Sequence, residues 1–189
     1  YYDYQMLKGQ KYGGVTRYFF EIISRLRNMG VNVEISCFCN KSYYFKDELG
    51  TVGSWADNKW ISKALTFISM LKSISEMRKG FDIIHPTEYK PYMLGYYSGK
   101  LVVTVHDLMH ENGKGGTKAV NHLKHKSKII RAADRIIAIS ECTKRDLLYY
   151  YPEINPENID VIYHGTSMQP DAHHGKGILP DEKYILPQN

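Results

Sequence analysis

Two neighbouring residues near the middle of the chain have side chains that could bind a ligand or move a proton. His106 and Asp107 directly follow the apolar run at residues 101–105. An imidazole titrates near neutral pH, so it can hydrogen-bond a ligand hydroxyl or shield a developing charge, while the carboxylate orients the groups around it. We therefore treat His106 as a candidate catalytic residue and Asp107 as a candidate substrate-binding residue. The alternative is that His106 only ends the strand and hydrogen-bonds a loop carbonyl.

A pair of glycines, Gly13 and Gly14, precedes the first helical pattern of the sequence. Residues without side chains let a ligand approach the backbone, and the first turn of a helix offers N–H groups and positive potential to a phosphate. Gly13 and Gly14 are therefore candidate substrate-binding residues. The pattern G-x-G-x-x-G is not met, which disfavours a dinucleotide site. The alternative is a simple glycine turn before a helix.

The sequence predicts no metal site. His106 and His110 would need a helix to bring both rings onto one ion, but His106 ends a predicted strand. The three cysteines, Cys37, Cys39 and Cys142, lack zinc-ligand spacing, and their odd number is typical of reduced thiols rather than of a disulfide framework. These features favour a cytoplasmic protein.

Apolar residues recur with strand-like and helical spacing in alternation along the chain. Short or alternating apolar runs predict strands, and apolar residues three to four positions apart predict helices. The predicted strands cover residues 1–5, 31–37, 81–85, 100–106, 135–139 and 159–163. The predicted helices cover residues 18–29, 61–74 and 119–133, and a fourth follows the N-cap residue Ser140.

This alternation predicts an α/β fold with a Rossmann-like, doubly wound and mostly parallel sheet that carries helices on both faces. Right-handed crossovers place the carboxyl ends of the strands at one edge, where such folds bind ligands. His85, His106 and His164 each lie at the end of a predicted strand or directly after it. They are therefore expected to meet at that edge.

Length and composition bound the class of protein. The chain has 189 residues, of which 43% are apolar, and a formal net charge of +5. This length predicts one domain with its own core, and the composition excludes a disordered or collagen-like chain. No apolar run reaches the roughly 18 residues that cross a bilayer, and no signal peptide is recognisable.

The predicted helix at residues 119–133 is basic and amphipathic. The segment between residues 112 and 133 has no acid and six cations: Lys114, Lys118, Lys124, Lys126, Lys128 and Arg131. Its apolar side chains, among them Val120 and Ile130, are expected to pack inward while the lysines face out. Residues 118–131 then predict peripheral contact with an anionic membrane surface or attraction of an acidic acceptor, with a solvated lysine face as the alternative.

Two further expectations concern the same half of the chain. No recognition motif accompanies the positive charge, so no nucleic-acid partner is predicted. Four histidines are expected to be solvated: His122, His125, His173 and His174.

Five segments occur in an order that resembles a known protein family. They are residues 12–19 (YGGVTRYF), 82–87 (DIIHPT), 103–107 (VTVHD), 133–144 (ADRIIAISECTK) and 161–165 (VIYHG). Together they are similar to the N-terminal, acceptor-side half of a retaining family 4 (group 1) glycosyltransferase of the GT-B fold. The resemblance implies two Rossmann-like domains that face each other across a cleft, the first mainly for the acceptor and the second for a nucleotide sugar.

The resemblance also implies a function and roles for single residues. The implied reaction moves a sugar from a nucleotide-diphosphate donor to a hydroxyl of a glycan or lipid-linked acceptor with retention, in glycan or cell-envelope polysaccharide synthesis. No cofactor is implied beyond the donor itself. Gly13 and Gly14 match the family's glycine loop near the donor diphosphate, and His106 matches the histidine near the donor sugar. Arg17 follows the loop and is carried over as substrate-binding.

The same resemblance divides the chain. It implies a Rossmann-like domain at residues 1–166 and a linker at residues 167–189 toward an absent C-terminal nucleotide-sugar domain. The family's paired glutamates and the Arg/Lys pair that neutralise the diphosphate belong to that second domain, so this chain alone is expected to be inactive. The segment at residues 111–117 is short for the acceptor-side loop, which leaves the acceptor unspecified. The competing hypothesis is a non-catalytic α/β module that binds a phosphorylated or acidic ligand.

Overall fold

A four-stranded parallel sheet is the centre of this computed structural model, which describes residues 1–53, 57–111 and 116–165. The strands lie side by side in chain order: β1 (Ile83–Ile84), β2 (Lys100–Val105), β3 (Arg135–Ala138) and β4 (Ile159–Val161). The register places Val103 beside Ile136, and Ile136 beside Ile159. Because every pairing is parallel, the carboxyl ends of the four strands share one edge.

The N-terminal segment adds Tyr2 to the sheet through isolated parallel bridges. Tyr2 pairs with Ile35 on one side and with His85, directly after β1, on the other. The strands predicted at residues 1–5 and 31–37 thus shrink to one paired residue each. The first is short because a 3-10 turn begins three residues after Tyr2.

The described part of the chain has five α-helices, three before β1, one between β2 and β3 and one between β3 and β4. They are α1 (Gly14–Asn28), α2 (Lys46–Leu49), α3 (Lys59–Met77), α4 (Gly116–Ala132) and α5 (Glu141–Tyr150). The Ser140 side chain accepts a hydrogen bond from the Thr143 N–H at 3.1 Å, which confirms Ser140 as the N-cap of α5. Gly30, at φ +81°, turns the chain out of α1 in a conformation that favours glycine.

The direction of the connections reverses between Tyr2 and β1. From Tyr2 the chain passes through α1 to Ile35, and from β1 it continues through β2 and β3 to β4. Such a change of direction opens a crevice at the carboxyl edge of a parallel sheet. The architecture therefore provides one natural place for a ligand.

Two apolar clusters fill the interior, and neighbouring residues of the first segment contribute to different ones. Tyr1 belongs to one cluster and Tyr2 to the other, as expected where successive side chains point to opposite faces of a sheet. The cluster of Tyr1 combines strand residues with residues of α4 and α5: Ile84, Leu101, Val103, Ile129, Ile130, Ile136 and Leu147. The cluster of Tyr2 includes Phe19, Ile23, Ile35 and Phe45. The predicted α/β, Rossmann-like fold class is confirmed.

A buried carboxylate, Asp3, holds the first segment of the chain against the loop that follows β1. One carboxylate oxygen accepts from the Thr87 N–H at 2.9 Å and from the Thr87 hydroxyl at 2.6 Å. The other accepts from the Gln5 amide at 2.6 Å and from the Tyr92 hydroxyl at 3.0 Å. Asp3 is fully buried, and four donors satisfy it, as a charge removed from water requires.

The replacement Asp3→Ala should lower the free energy of unfolding by at least about 3 kcal/mol, because each buried donor left without an acceptor costs about 1–3 kcal/mol. Urea unfolding of wild type and variant measures this difference. Asp57→Ala is the matched control, since Asp57 is 71% exposed and pairs only across the surface with Lys41. That variant should lose no more than about 1 kcal/mol. Equal losses in the two variants would contradict a central role for Asp3.

Candidate functional site

A cavity of about 500 Å³ opens at the carboxyl edge of the sheet. Its walls come from the loop after Tyr2, the loop after β1, the end of β2 and one turn of α4. The lining includes Gly13, Gly14, Thr87, Thr104, His106 and His122. The structure thus brings the predicted glycine pair and the predicted histidine to one cavity.

The glycine pair leaves space in front of the N-terminus of α1. Gly13 is the N-cap, with φ −153° and ψ 143°, and Gly14 is the first helical residue. Neither has a positive φ, so any residue could adopt the backbone conformation at both positions. A Cβ on Gly13 would lie 2.9 Å from the Gln10 side-chain oxygen, whereas a Cβ on Gly14 would meet no atom of the described residues within 4 Å. The absence of a side chain at Gly14 is therefore not required by the backbone conformation, but it leaves an open volume in front of the helix.

The first turn of α1 offers hydrogen-bond donors to that volume. An N-cap glycine has no side chain that could accept from the first N–H groups, and the first turn carries no acidic residue. A helix N-terminus also has a positive partial charge. The arrangement suits an anionic ligand.

His106 is half-buried at the end of β2 and packs among aromatic rings. Its ring centroid lies 5.0 Å from that of Tyr18 on α1 and 5.7 Å from that of His164, which follows β4. Burial lowers the pKa of His106 to about 4, and His164 acts in the same direction, so the ring is neutral at neutral pH. Its Nε2 atom is buried and has no hydrogen-bond partner among the described residues. A neutral imidazole nitrogen of this kind can exchange one hydrogen bond with a ligand hydroxyl.

Thr104 on β2, two residues before His106, forms hydrogen bonds with three neighbouring side chains. Its hydroxyl lies 2.9 Å from His85 Nε2 and 3.2 Å from the Tyr18 hydroxyl. Its carbonyl accepts from the Tyr89 hydroxyl at 3.1 Å. Burial lowers the pKa of His85 to about 3, so this histidine is a neutral packing residue. Of the three histidines expected at the edge, His85 lies behind the cavity wall rather than in it.

Arg17 and Asp107 do not join the glycine pair and His106. Arg17 lines a neighbouring cavity of about 600 Å³ between α1 and the ends of β3 and β4, which shares Gly14 with the first. Its guanidinium lies 4.0 Å from the Glu21 carboxylate. Asp107 is exposed, and its side chain accepts from the Met109 N–H at 3.2 Å, which stabilises the turn after β2.

The expectation that all lysines of α4 face solvent is wrong for Lys126. Its side chain is 1% exposed, and its Nζ atom lies 2.9 Å from a Glu111 carboxylate oxygen and 2.6 Å from the Asp107 carbonyl oxygen. The Tyr151 hydroxyl donates to the same carboxylate at 3.0 Å. The pattern of α4 alone could not show this, because the acid that compensates the charge lies in the loop before the helix.

The solvent-facing basic surface of α4 is therefore smaller than predicted. Lys124 and Lys128 are exposed, while Arg131 donates to the Glu153 carboxylate at 2.6 Å. Val120, predicted to pack inward, is instead 51% exposed. None of the helices in the described part of the chain has the length and apolarity to cross a bilayer. Contact of residues 118–131 with a membrane surface stays a prediction.

His122 is a cavity residue that sequence reasoning missed. It was expected to be solvated, but its ring lies 4.7 Å from that of His110 and 5.7 Å from that of Tyr89. Its Nδ1 atom is buried without a hydrogen-bond partner among the described residues. Positions four apart share a helix face, so His122 lies on the same side of α4 as the buried Lys126. The sequence alone does not reveal this, because the burial of Lys126 depends on its contact with Glu111. His125 is exposed as expected, and the last two histidines lie outside the described residues.

The thiols and the histidines do not assemble a metal site in the part of the chain that the structure describes. No group of three or more His, Cys, Asp or Glu residues there could hold an ion. The three cysteines are free; Cys37 and Cys39 are buried and Cys142 is exposed.

The fold and the site define a class of protein: a Rossmann-like α/β domain with a glycine pair at a helix N-terminus and a neutral imidazole in one cavity at the carboxyl edge of its sheet. The family model described as Glycosyltransferase Family 4 matches residues 12–169. This match covers most of the chain, which therefore belongs to glycosyltransferase family 4. No curated protein matches the chain.

Breaking the buried pair of Lys126 and Glu111 should strongly destabilise the fold. Lys126→Met leaves the Glu111 carboxylate buried without its cation, so the free energy of unfolding should fall by about 3–5 kcal/mol. The double variant Lys126→Met/Glu111→Gln should recover part of this loss, because the amide is neutral and still accepts from Tyr151. Urea unfolding measures all three proteins.

A matched surface pair supplies the control for this experiment. Arg135 and Asp160 contact each other at 2.6 Å, but their side chains are 47% and 46% exposed. Arg135→Met should therefore cost no more than about 1 kcal/mol. If Lys126→Met is as mild as Arg135→Met, the buried pair does not have the structural role described here.

The two neutral histidines with lowered pKa values, His85 and His106, predict how the stability of the fold depends on pH. In the unfolded chain a histidine binds a proton below about pH 6.5, whereas the folded pKa values of His106 and His85 are about 4 and about 3. Their contribution to stability is therefore present above pH 6.5 and is lost as the pH falls toward those values. Each histidine should add a slope of up to about 1.4 kcal/mol per pH unit.

Unfolding titrations at several pH values between 4 and 7, the acid range set by these histidines, test this slope. His85→Gln should flatten it, whereas His125→Gln, which replaces an exposed ring of α4, should leave it unchanged. A variant with His85→Gln and the wild-type slope would rule out His85 as a source of the acid sensitivity.

Proposed function

We propose that the chain is the acceptor-side domain of an enzyme that moves a sugar from a nucleotide-diphosphate donor to a hydroxyl of a glycan or lipid-linked acceptor, with retention of configuration. One observation carries the proposal: Gly14, with the open volume in front of it at the N-terminus of α1, lines the same cavity as His106, whose buried Nε2 has no hydrogen-bond partner among the described residues. Family membership supports glycosyl transfer as the class of reaction.

In this proposal the donor diphosphate lies against the first turn of α1. The N–H groups there donate to phosphate oxygens, and the helix dipole stabilises the charge that grows on the leaving group. Any side chain at Gly14 would occupy part of the volume that the phosphates need. The donor is a substrate, and the nucleotide itself binds to a second, C-terminal domain that supplies paired glutamates and a basic pair.

His106 positions the donor sugar in this scheme. Its neutral ring hydrogen-bonds a sugar hydroxyl through Nε2, and packing against Tyr18 and His164 fixes the ring orientation. A neutral ring supplies no full positive charge at neutral pH. Compensation of the leaving diphosphate therefore falls to the backbone N–H groups of α1 and to cations of the second domain.

The acceptor enters from the side of the cavity that α4 forms. His122 and Glu88 line the same cavity, and both present polar atoms that suit a hydroxyl-rich molecule. The Tyr89 ring, between His122 and the end of β2, adds an apolar wall. The competing function, a module that only binds a phosphorylated or acidic ligand, would use the α1 end of the cavity alone.

The replacement Gly14→Ala tests the phosphate position without disturbing the fold. Its Cβ meets no described atom within 4 Å, and the unfolding transition should be unchanged. Turnover should fall at least tenfold, a loss of about 1.4 kcal/mol in transition-state stabilisation. The measurement is transfer or hydrolysis by the full-length gene product over a panel of nucleotide-diphosphate sugars.

The replacement His106→Ala should also lower turnover in the same assay. The control is His125→Ala, at an exposed position on α4, which should leave turnover unchanged.

The outcomes separate the two functions. Binding of a nucleotide sugar without hydrolysis or transfer, in the wild-type full-length protein, would favour the non-catalytic module. Wild-type turnover in Gly14→Ala would remove α1 from the donor site, and wild-type turnover in His106→Ala would remove His106 from the catalytic set.

A further inference from the structure

Two thiols lie side by side in a part of the molecule that the proposed function does not use. Cys37 and Cys39 follow the bridge residue Ile35, and both belong to the buried cluster of Tyr2. Their sulfur atoms are 3.4 Å apart. Neither residue lines the two cavities described above.

The backbone holds the two sulfurs in this arrangement. The chain bends at Phe38 and Cys39, so the Phe38 side chain is exposed while both sulfurs are buried. The Cys39 N–H donates to the Cys37 sulfur at 3.2 Å. Ser69 on α3 accepts from the Phe38 N–H at 2.9 Å and donates to the Cys39 sulfur at 3.5 Å. A disulfide has a sulfur–sulfur distance of about 2.05 Å, so the atoms need to approach by little more than an ångström.

The surroundings make the two thiols chemically different. The hydrogen bond between the two sulfurs lowers the pKa of Cys39, and the bond that Ser69 donates and the nearby Lys8 cation act in the same direction. The same contact, together with burial, raises the pKa of Cys37. Cys39 is therefore the nucleophilic sulfur at neutral pH, since the thiolate is the reactive form.

We propose that Cys37 and Cys39 form an oxidisable dithiol, which closes to an intrachain disulfide when it reacts with a small peroxide. The Cys39 thiolate attacks one peroxide oxygen, the O–O bond breaks, and a sulfenic acid and hydroxide form. The hydroxide takes the Cys37 proton. The Cys37 sulfur then attacks the Cys39 sulfur and the S–O bond breaks. The leaving hydroxide takes up the proton that Cys39 released when it ionised, which gives the second water. Two thiols and one hydrogen peroxide thus give one disulfide and two waters, and two electrons pass from sulfur to peroxide.

Because the two sulfurs are buried, only a small oxidant can reach them in the folded protein. Cys39 is 3% exposed and Cys37 is 8% exposed, so a bulky disulfide reagent cannot reach them in the folded protein as a small peroxide can. Cys142 on α5 is exposed and has no thiol beside it, which makes it an internal comparison in the same molecule.

Hydrogen peroxide added to the folded, reduced chain tests the proposal, with intact mass and maleimide labelling as readouts. The Cys142→Ser variant should lose two hydrogen atoms and both maleimide-reactive thiols, and dithiothreitol should restore them. Peptide mapping should locate the bond between residues 37 and 39. Gain of oxygen atoms in place of hydrogen loss, or thiols that stay reactive toward maleimide after unfolding, would overturn the proposal.

Two single variants identify the attacking sulfur. In Cys37→Ser, Cys39 has no partner and should gain oxygen as a sulfenic or sulfinic acid. In Cys39→Ser, loss of the Cys37 thiol should be at least about tenfold slower, because the remaining thiol is mostly protonated at neutral pH. Equal rates in the two variants would overturn the assignment of Cys39 as the nucleophile. Circular dichroism of both serine variants shows that they are folded before peroxide is added.

Discussion

The carboxylate of Asp3 is the constraint on which the geometry of the site depends. It lies in the interior with hydrogen bonds from the first segment of the chain and from the loop after β1. These two segments border the crevice in which Gly14 and His106 face one cavity. A fully buried charge tolerates little movement of its donors, because each lost hydrogen bond leaves it less compensated. The same interaction that joins two distant segments therefore also keeps the crevice at a fixed width.

A second buried charge orders the opposite wall. Lys126 reaches back to Glu111 and to the Asp107 carbonyl, which ties α4 to the loop that follows β2. His122 lies one turn away on the same helix, so its position in the cavity depends on this contact. The cavity is thus bordered on two sides by satisfied polar networks, while two of its lining histidines, His106 and His122, each have a buried ring nitrogen without a hydrogen-bond partner among the described residues. These two rings are the groups of the lining that could change partners when a polar ligand binds.

Local patterns predicted the strands of the sheet well and the ends of the first segment poorly. The β-branched run before His106 could only be a buried strand, and β2 occupies nearly the same residues. A strand is also predicted at residues 1–5, but only Tyr2 pairs in the sheet, and a 3-10 helix begins at Gln5. The glycine pair and His106 could be predicted because they follow strands of a parallel sheet. The roles of His122 and Lys126 could not, since both depend on residues distant in sequence.

The ring of His164 packs at 4.9 Å from Tyr18 and at 5.7 Å from His106. The segment that follows β4 therefore runs beside the imidazole of His106. A shortened version that stops before His164 would expose one face of that imidazole to water. A fusion or purification tag joined directly after Gly165 would start close to the imidazole of His106, so protein engineering of this domain should keep residues 164 and 165 unchanged.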